Sequence, residues 1–318
     1  MSAAPTAEPI DTTVGPIGGQ ALLEGVMMRR GGGWGAAVRR TDGSITTTYR
    51  TLPTGLGPWR KVPLVRGIIA LGESTVLGTQ ATMWAAHTRA QDPATTDASA
   101  EAGSDDGFSR TGLILSALLA IVLALGIFGL LPAVIIKAIG VRNPLVFSAA
   151  EGLLRLAVLV GYLGLLSRTP QVKRVFGYHG AEHMTIHAFE HRVPLHAADI
   201  RHFDRRHPRC GTAFLLVVVA VTIVAHALVG QPSWGVLILS RVLGLPVVAA
   251  IAYEAIRFAG LHQHRLVGRV IMAPGSWLQS ITTKPPDDDM IEVAVAALEA
   301  TLAEAPVPAT AMLAGASA

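Results

Sequence analysis

The chain has 318 residues, of which 51% are hydrophobic and 15% charged, with a mean hydropathy of +0.46 and a net charge of +4. Soluble globular domains usually carry about 25% charged residues, so the composition argues against a purely soluble protein. The basic residues lie outside the long apolar runs, which fits membrane placement better than nucleic-acid binding. Because Cys210 is the single cysteine, an intrachain disulfide is excluded.

Residues 1–15 are small and polar, include prolines and lack an apolar h-region, so a disordered tail without a signal peptide is expected. Residues 16–88 read as a cytoplasmic or interfacial region. It opens with G-G-Q-A-L-L-E-G-V-M-M-R at 18–29, a glycine-bearing packed turn with Gln20, Glu24 and Arg29 as its directed polar groups. Residues 34–38 and 44–49 predict two strands, and Asp42-Gly43 between them is a favoured hairpin dipeptide. Residues 64–87 are helical in pattern but carry Arg66, Glu73 and three glycines. They predict an interfacial or membrane-docked helix, with a re-entrant segment as the alternative. Residues 89–112 are largely small, polar and acidic without periodicity, a linker composition.

The apolar mass follows. Residues 113–131 carry no charge and continue apolar to 136, and a bilayer core of about 30 Å needs about 20 such residues in a helix. Residues 145–166, 213–229 and 234–253 are three further candidate spans, interrupted by Glu151 and Arg155, by His226 and by Arg241 respectively. Short polar turns pair them into two hairpins, 113–166 and 213–256. Ionisable groups at such depth are costly unless paired or hydrated. Glu151 and Arg155, four apart, can pair on one helix face. Arg241 and Glu254 add a second pair of signs, and Glu254 lies near enough to the predicted cytoplasmic face to approach the histidines described next.

The loop at 167–212 between the hairpins carries Arg168, Lys173, Arg174, Arg192, Arg201, Arg205, Arg206 and Arg209, against Lys137 and Arg142 in one opposite turn and no basic residue in the other. By the positive-inside rule the loop and both termini are cytoplasmic. Within it, Y-H-G-A-E-H at 178–183 precedes His187, Glu190 and His191. On a helix, residues four apart share a face, so His179, His183 and His187 form a ridge. Two imidazoles one turn apart can grip a divalent metal, most readily zinc. H-x-x-E-H is the inverted zincin order, in which the glutamate is the general base, here Glu182. The bland reading of the same cluster is a solvated or headgroup-binding face.

Next comes H-P-R-C-G at 207–211, where His207 and Cys210 can complete the ligand set. Cys210 can equally be a small buried residue at a helix start, and a nucleophile is the last of the three readings. Residues 257–304 form a C-terminal cytoplasmic region. Its helix begins near Pro285-Pro286-Asp287, with Asp287 or Asp288 as cap and Ile291, Val295, Leu298 and Leu302 along one face. The Ala/Pro-rich residues 305–318 read as a second tail.

G-G-Q-A-L-L-E-G-V-M-M-R, Y-H-G-A-E-H, H-P-R-C-G-T and T-T-K-P-P-D-D-D-M-I-E-V-A-V-A-A-L, in this order over residues 16–298, resemble the YqhQ-like proteins of bacteria. Met184 stands where that family usually has a basic residue, and the ligand positions are intact. The resemblance implies a multi-pass protein of the bacterial inner membrane, of a kind sometimes described as predicted metal-dependent enzymes.

The expected fold is therefore mainly α: four transmembrane helices in two hairpins, plus a cytoplasmic layer of β-hairpin, His-rich helix and C-terminal helix. The expected function is a metal-dependent, hydrolase-like enzyme at the cytoplasmic face, with His179, His183, His207 and Cys210 as zinc ligands and Glu182 as base. The alternative is a non-enzymatic scaffold for membrane-protein partners, built on a structural metal. A transporter is a third reading, weakened because the sequence has no evident inverted repeat.

Overall fold

A computed structural model describes residues 17–52, 58–92, 110–229, 233–262 and 264–303. The expected tails, and residues 93–109 of the expected linker, lie outside them. The protein is mainly helical, with one antiparallel sheet of order β1-β2-β3-β4.

The strands are β1 (Gly18–Leu22), β2 (Gly25–Arg30), β3 (Gly33–Arg39) and β4 (Ile45–Thr51). The expected hairpin is the β3–β4 pair, in which Gly43 takes φ +85° in the turn. The glycine-bearing segment read as a packed turn is instead two more strands, with Leu22 paired to Gly25 across a two-residue connection. Both faces of β2 and β3 are covered, which hides the alternation. Val26, Met28 and Ala37 face a core shared with the C-terminal helix and the His-rich helix. Met27, Trp34, Ala36 and Val38 face a second core with Leu77, Ala81 and Ala85. A strand buried on both sides reads as a continuous apolar run rather than an alternating one.

Leu77, Ala81 and Ala85 belong to α1 (Val65–Ala90). Its first turn meets a different part of the chain, where Gly67 lies against the Tyr253 ring and Arg66 holds Glu254 through its Nε at 2.7 Å. Helix α1 thus bridges the sheet to the apolar helices, with Ile68, Leu71, Val76 and Met83 left exposed.

The apolar helices are α2 (Arg110–Ala124), a π-helical stretch (Leu125–Leu130), α3 (Leu131–Ala138) and α4 (Pro144–Leu166), followed after the loop by α7 (Thr212–Val229), α8 (Trp234–Leu243) and α9 (Leu245–Leu261). Helix α4 starts at an Asn143 cap that accepts from Leu145 N–H and Val146 N–H, with Pro144 in the first turn, a combination favoured at helix starts. Two continuous helices, Leu115–Ala138 and Pro144–Leu166, are long and apolar enough to cross a membrane. The α8–α9 pair makes a third if its 47° bend is counted within one span. The bend falls at Gly244 and Leu245, just before Pro246, which supplies no N–H to the preceding turn. Of the four expected spans, the one at 213–229 falls in an apolar helix, Thr212–Leu228, that is shorter than those two and is not among the candidate spans.

Between α4 and α7 lie α5 (Pro170–Glu190) and the short α6 (Ala197–Ile200). The chain ends with α10 (Leu266–Thr282) and α11 (Asp288–Ala303). Helix α11 crosses β3 so closely that Gly35 has Thr301 directly above it, with the Thr301 backbone nitrogen 2.7 Å from where a Cβ would stand. Ile291, Ala294, Ala297 and Leu298 of α11 close the core against Tyr178, Ala181 and Met184 of α5. The His-rich helix is thereby fixed on its inner side, with its other faces turned to the loop that follows it.

Candidate metal centre

Helix α5 carries the histidine ridge on a backbone approached closely by two other segments. At Gly180 the main chain of Lys284 passes where any Cβ would collide, and Lys284 N–H donates to Phe176 O at 2.8 Å. This crossing brings Thr282 O to His179 Nδ1 at 2.9 Å. On the next turn, Arg205 O lies 2.6 Å from His183 Nδ1. A carbonyl only accepts, so in both rings Nδ1 carries the proton and Nε2 is left with its lone pair. His179 Nε2 is 3.2 Å from Cys210 Sγ. Ligand atoms of His179, His183 and Cys210 all lie within 4.8 Å of one another. The sulfur also meets Thr212 Oγ1 at 3.3 Å and Thr212 N–H at 3.5 Å.

His207, expected as a fourth ligand, stands in a neighbouring group with His187 and Glu190. Its Nδ1 accepts from Arg209 N–H at 3.2 Å, which leaves its proton on Nε2, facing Glu190 Oε2 at 3.6 Å. His187 gives its Nε2 proton to Arg206 O at 3.0 Å, and Glu190 is also held by Arg209. The ligand atoms of this second group also lie within 4.8 Å of one another, close enough to hold a metal ion of their own. Burial lowers the basicity of His183 and His187, and it brings His207 down to about 4 with help from the neighbouring His187.

Glu182, the expected base, is 4% exposed, and its Oε2 has no hydrogen-bond partner among the described residues. Burial raises its carboxyl to about 7, against the opposing influence of His179. Its other oxygen lies over β1, 2.7 Å from where a Cβ on Gly19 would be. The glycine pair of the first motif therefore makes room for the glutamate of the second. Glu254, which the sequence allowed to approach the histidines, is instead bound by Arg66 and by Leu64 N–H at 3.1 Å.

Sequence reasoning passed over Gln279. It is wholly buried on α10, accepts from His207 N–H at 2.7 Å and donates to His207 O at 3.0 Å. One turn earlier, Gly275 lets α10 touch the Ala213 backbone at the start of α7. Those contacts fix the loop at 205–210, and with it the carbonyl that orients His183 and the sulfur that meets His179. The one sequence signal was an amide in an otherwise apolar helical stripe.

The chain matches the family described as protein of unknown function (DUF1385) over residues 62–304. It is also similar to the "Uncharacterized protein YqhQ" of Bacillus subtilis (strain 168), at 33% identity over 290 residues, 87% of this chain and 89% of that protein. No solved structure matches.

Proposed function

The chain belongs to the DUF1385 family, and from the geometry of its site we propose that it is a membrane-embedded, metal-dependent enzyme of hydrolase type, working at the cytoplasmic face. One observation carries this reading. Two imidazoles one turn apart each give Nδ1–H to a main-chain carbonyl, leaving Nε2 atoms grouped with the only thiol. Such outer hydrogen bonds are what orient histidine ligands and fix their tautomer. A mixed nitrogen and sulfur set suits zinc. In this reading His179, His183 and Cys210 are the ligands, and His207 is a supporting residue.

Three protein ligands leave one position for water or substrate, the pattern of catalytic rather than structural zinc. When bound, the metal would polarise a carbonyl or phosphoryl oxygen and make a nearby water more acidic. Glu182 is the proton acceptor: buried, with one oxygen uncommitted, and held near 7 by its surroundings, a poise suited to exchanging a proton at neutral pH. The bilayer is the protein's medium in this reading, with the two or three long apolar helices as its anchor.

The burial of His183, 2% exposed, also suits the non-enzymatic alternative. There the metal would staple α5 to the loop at 205–210 and shape a surface for membrane-protein partners. Metal analysis of the purified full-length protein tests the shared premise. About one equivalent of zinc is expected in the wild type, and most of it lost in His183→Ala and Cys210→Ser. Unchanged metal content in both variants would refute the site. Glu182→Gln then separates enzyme from scaffold.

A further inference from the structure

Beyond His179 and His183, the next turn of α5 and the loop at 205–210 bring together a second set of donors, His187, Glu190 and His207. The set shares no residue with His179, His183 and Cys210, yet it adjoins them, with the His183 and His207 ring centroids 5.7 Å apart.

The hydrogen bonds around these residues stop short of the grouped donors. His187 gives its Nε2 proton to Arg206 O, so its Nδ1 keeps a lone pair. Among the described residues, no hydrogen bond reaches that nitrogen. His207 is 3% exposed, and among the described residues none reaches its Nε2 either. Glu190 Oε2 stands 3.6 Å from His207 Nε2, too far for a hydrogen bond. Two ligands held about 2.0–2.1 Å from a tetrahedral ion are about 3.3–3.4 Å apart. The separation of this nitrogen and oxygen is thus closer to a metal's span than to a shared proton's.

Arg209 holds Glu190 by Oε1, which leaves Oε2 for an ion. A metal on His207 Nε2 would put the ring's proton on Nδ1, where the 3.2 Å bond from Arg209 N–H gives way. That cost, the competing guanidinium and the lack of sulfur make this the weaker set, filled after the first. Two imidazoles and one carboxylate, with coordination positions left open, suit first-row divalent ions and ask for no soft metal.

We propose that His187, Glu190 and His207 form a second metal site, which takes iron(II), cobalt(II) or zinc(II) beside the first. The site stands whether or not the first is loaded.

The test titrates full-length, chelator-stripped protein in detergent with cobalt(II). A thiolate ligand gives cobalt an intense sulfur-to-metal absorption band, and a site of nitrogen and oxygen does not. Wild type should take up about two ions, one per ligand set, with the band growing for the first alone. Cys210→Ser should lose the band and keep a band-free ion. Glu190→Gln and His187→Ala should each weaken the band-free ion by more than about a hundredfold, beyond an outer-shell effect, while the band remains. Either variant suffices if the other fails to fold. A wild type without the band, whose bound cobalt is lost in Glu190→Gln or His187→Ala, would refute the first site and support the second. A wild type that binds no band-free ion, or a band-free ion undiminished in either folded variant, would overturn the proposal.

Discussion

His179 Nε2 lies 3.2 Å from the sulfur of Cys210, a residue 31 positions further along the chain. The contact depends on two other segments. Thr282 O turns the imidazole by accepting its Nδ1 proton, and Gln279 clamps His207, three residues before the cysteine. A thiol and an imidazole nitrogen at this separation are placed to share a metal ion with His183, the nearest imidazole on the same helix.

His183→Ala and His207→Ala should therefore differ. The first removes a ligand and should lose most of the metal, a loss of more than about a hundredfold in affinity, beyond the range of an outer-shell change. The second removes only a supporting residue and should retain the metal, with affinity weakened by roughly tenfold to a hundredfold if it acts as an outer-shell partner. Titration with a competing chelator reads both. Equal, complete loss of metal in the two variants would return His207 to the ligand set.

Glu182→Gln keeps the size of the side chain and removes its capacity to accept a proton. In an enzyme it should leave metal content and expression near wild type while lowering activity by about 10²–10⁴-fold, the usual contribution of a general base. Until a substrate is identified, the readout is complementation of a deletion strain. Full complementation with metal retained would favour the scaffold.

Glu24 ties the sheet to the His-rich helix. Burial raises its carboxyl, but the hydrogen bond and charge of Arg174, then Arg89 and Tyr178, outweigh this and hold it below the ordinary range. A carboxyl depressed in the folded state stabilises the protein above its unfolded value, and that stability is lost as pH falls through the folded value. Glu24→Gln should thus lower the melting temperature at pH 7, at a cost of roughly 1–3 kcal/mol. The gap to wild type should close as the pH drops below about 4.5. A gap that stays constant down to pH 3 would mean that Glu24 acts by shape alone.

The basic loop predicts topology. Alkaline phosphatase fused after Arg142 should be active, because that turn would lie outside the cytoplasm, and fused after Arg192 it should be inactive. The reverse pattern would place the histidine site on the other side of the membrane.

The histidine ridge was legible in the sequence because helical periodicity alone puts His179 and His183 on one face. The β3–β4 hairpin was legible because its turn chemistry is local. The long apolar runs were legible because spanning a bilayer is a matter of length and composition. Strand β2 was not, since α1 and the α5–α11 layer bury both its faces and erase the alternation, and neither was β1, which runs from exposed at Gly18 to buried at Leu22 without alternating. The choice between His207 and His187 as neighbours of the site depended on which carbonyls the loop at 205–210 presents. Gln279 and Gly275 set that from a helix some seventy residues away. The partners of Glu151 and Glu254 were likewise decided by helix packing, since one carboxylate meets Arg241 and the other Arg66. Periodicity fixes what shares a face within one element. Which faces meet is set by close approach at glycines and by the need of each buried polar group for a partner, and both are properties of the assembled chain.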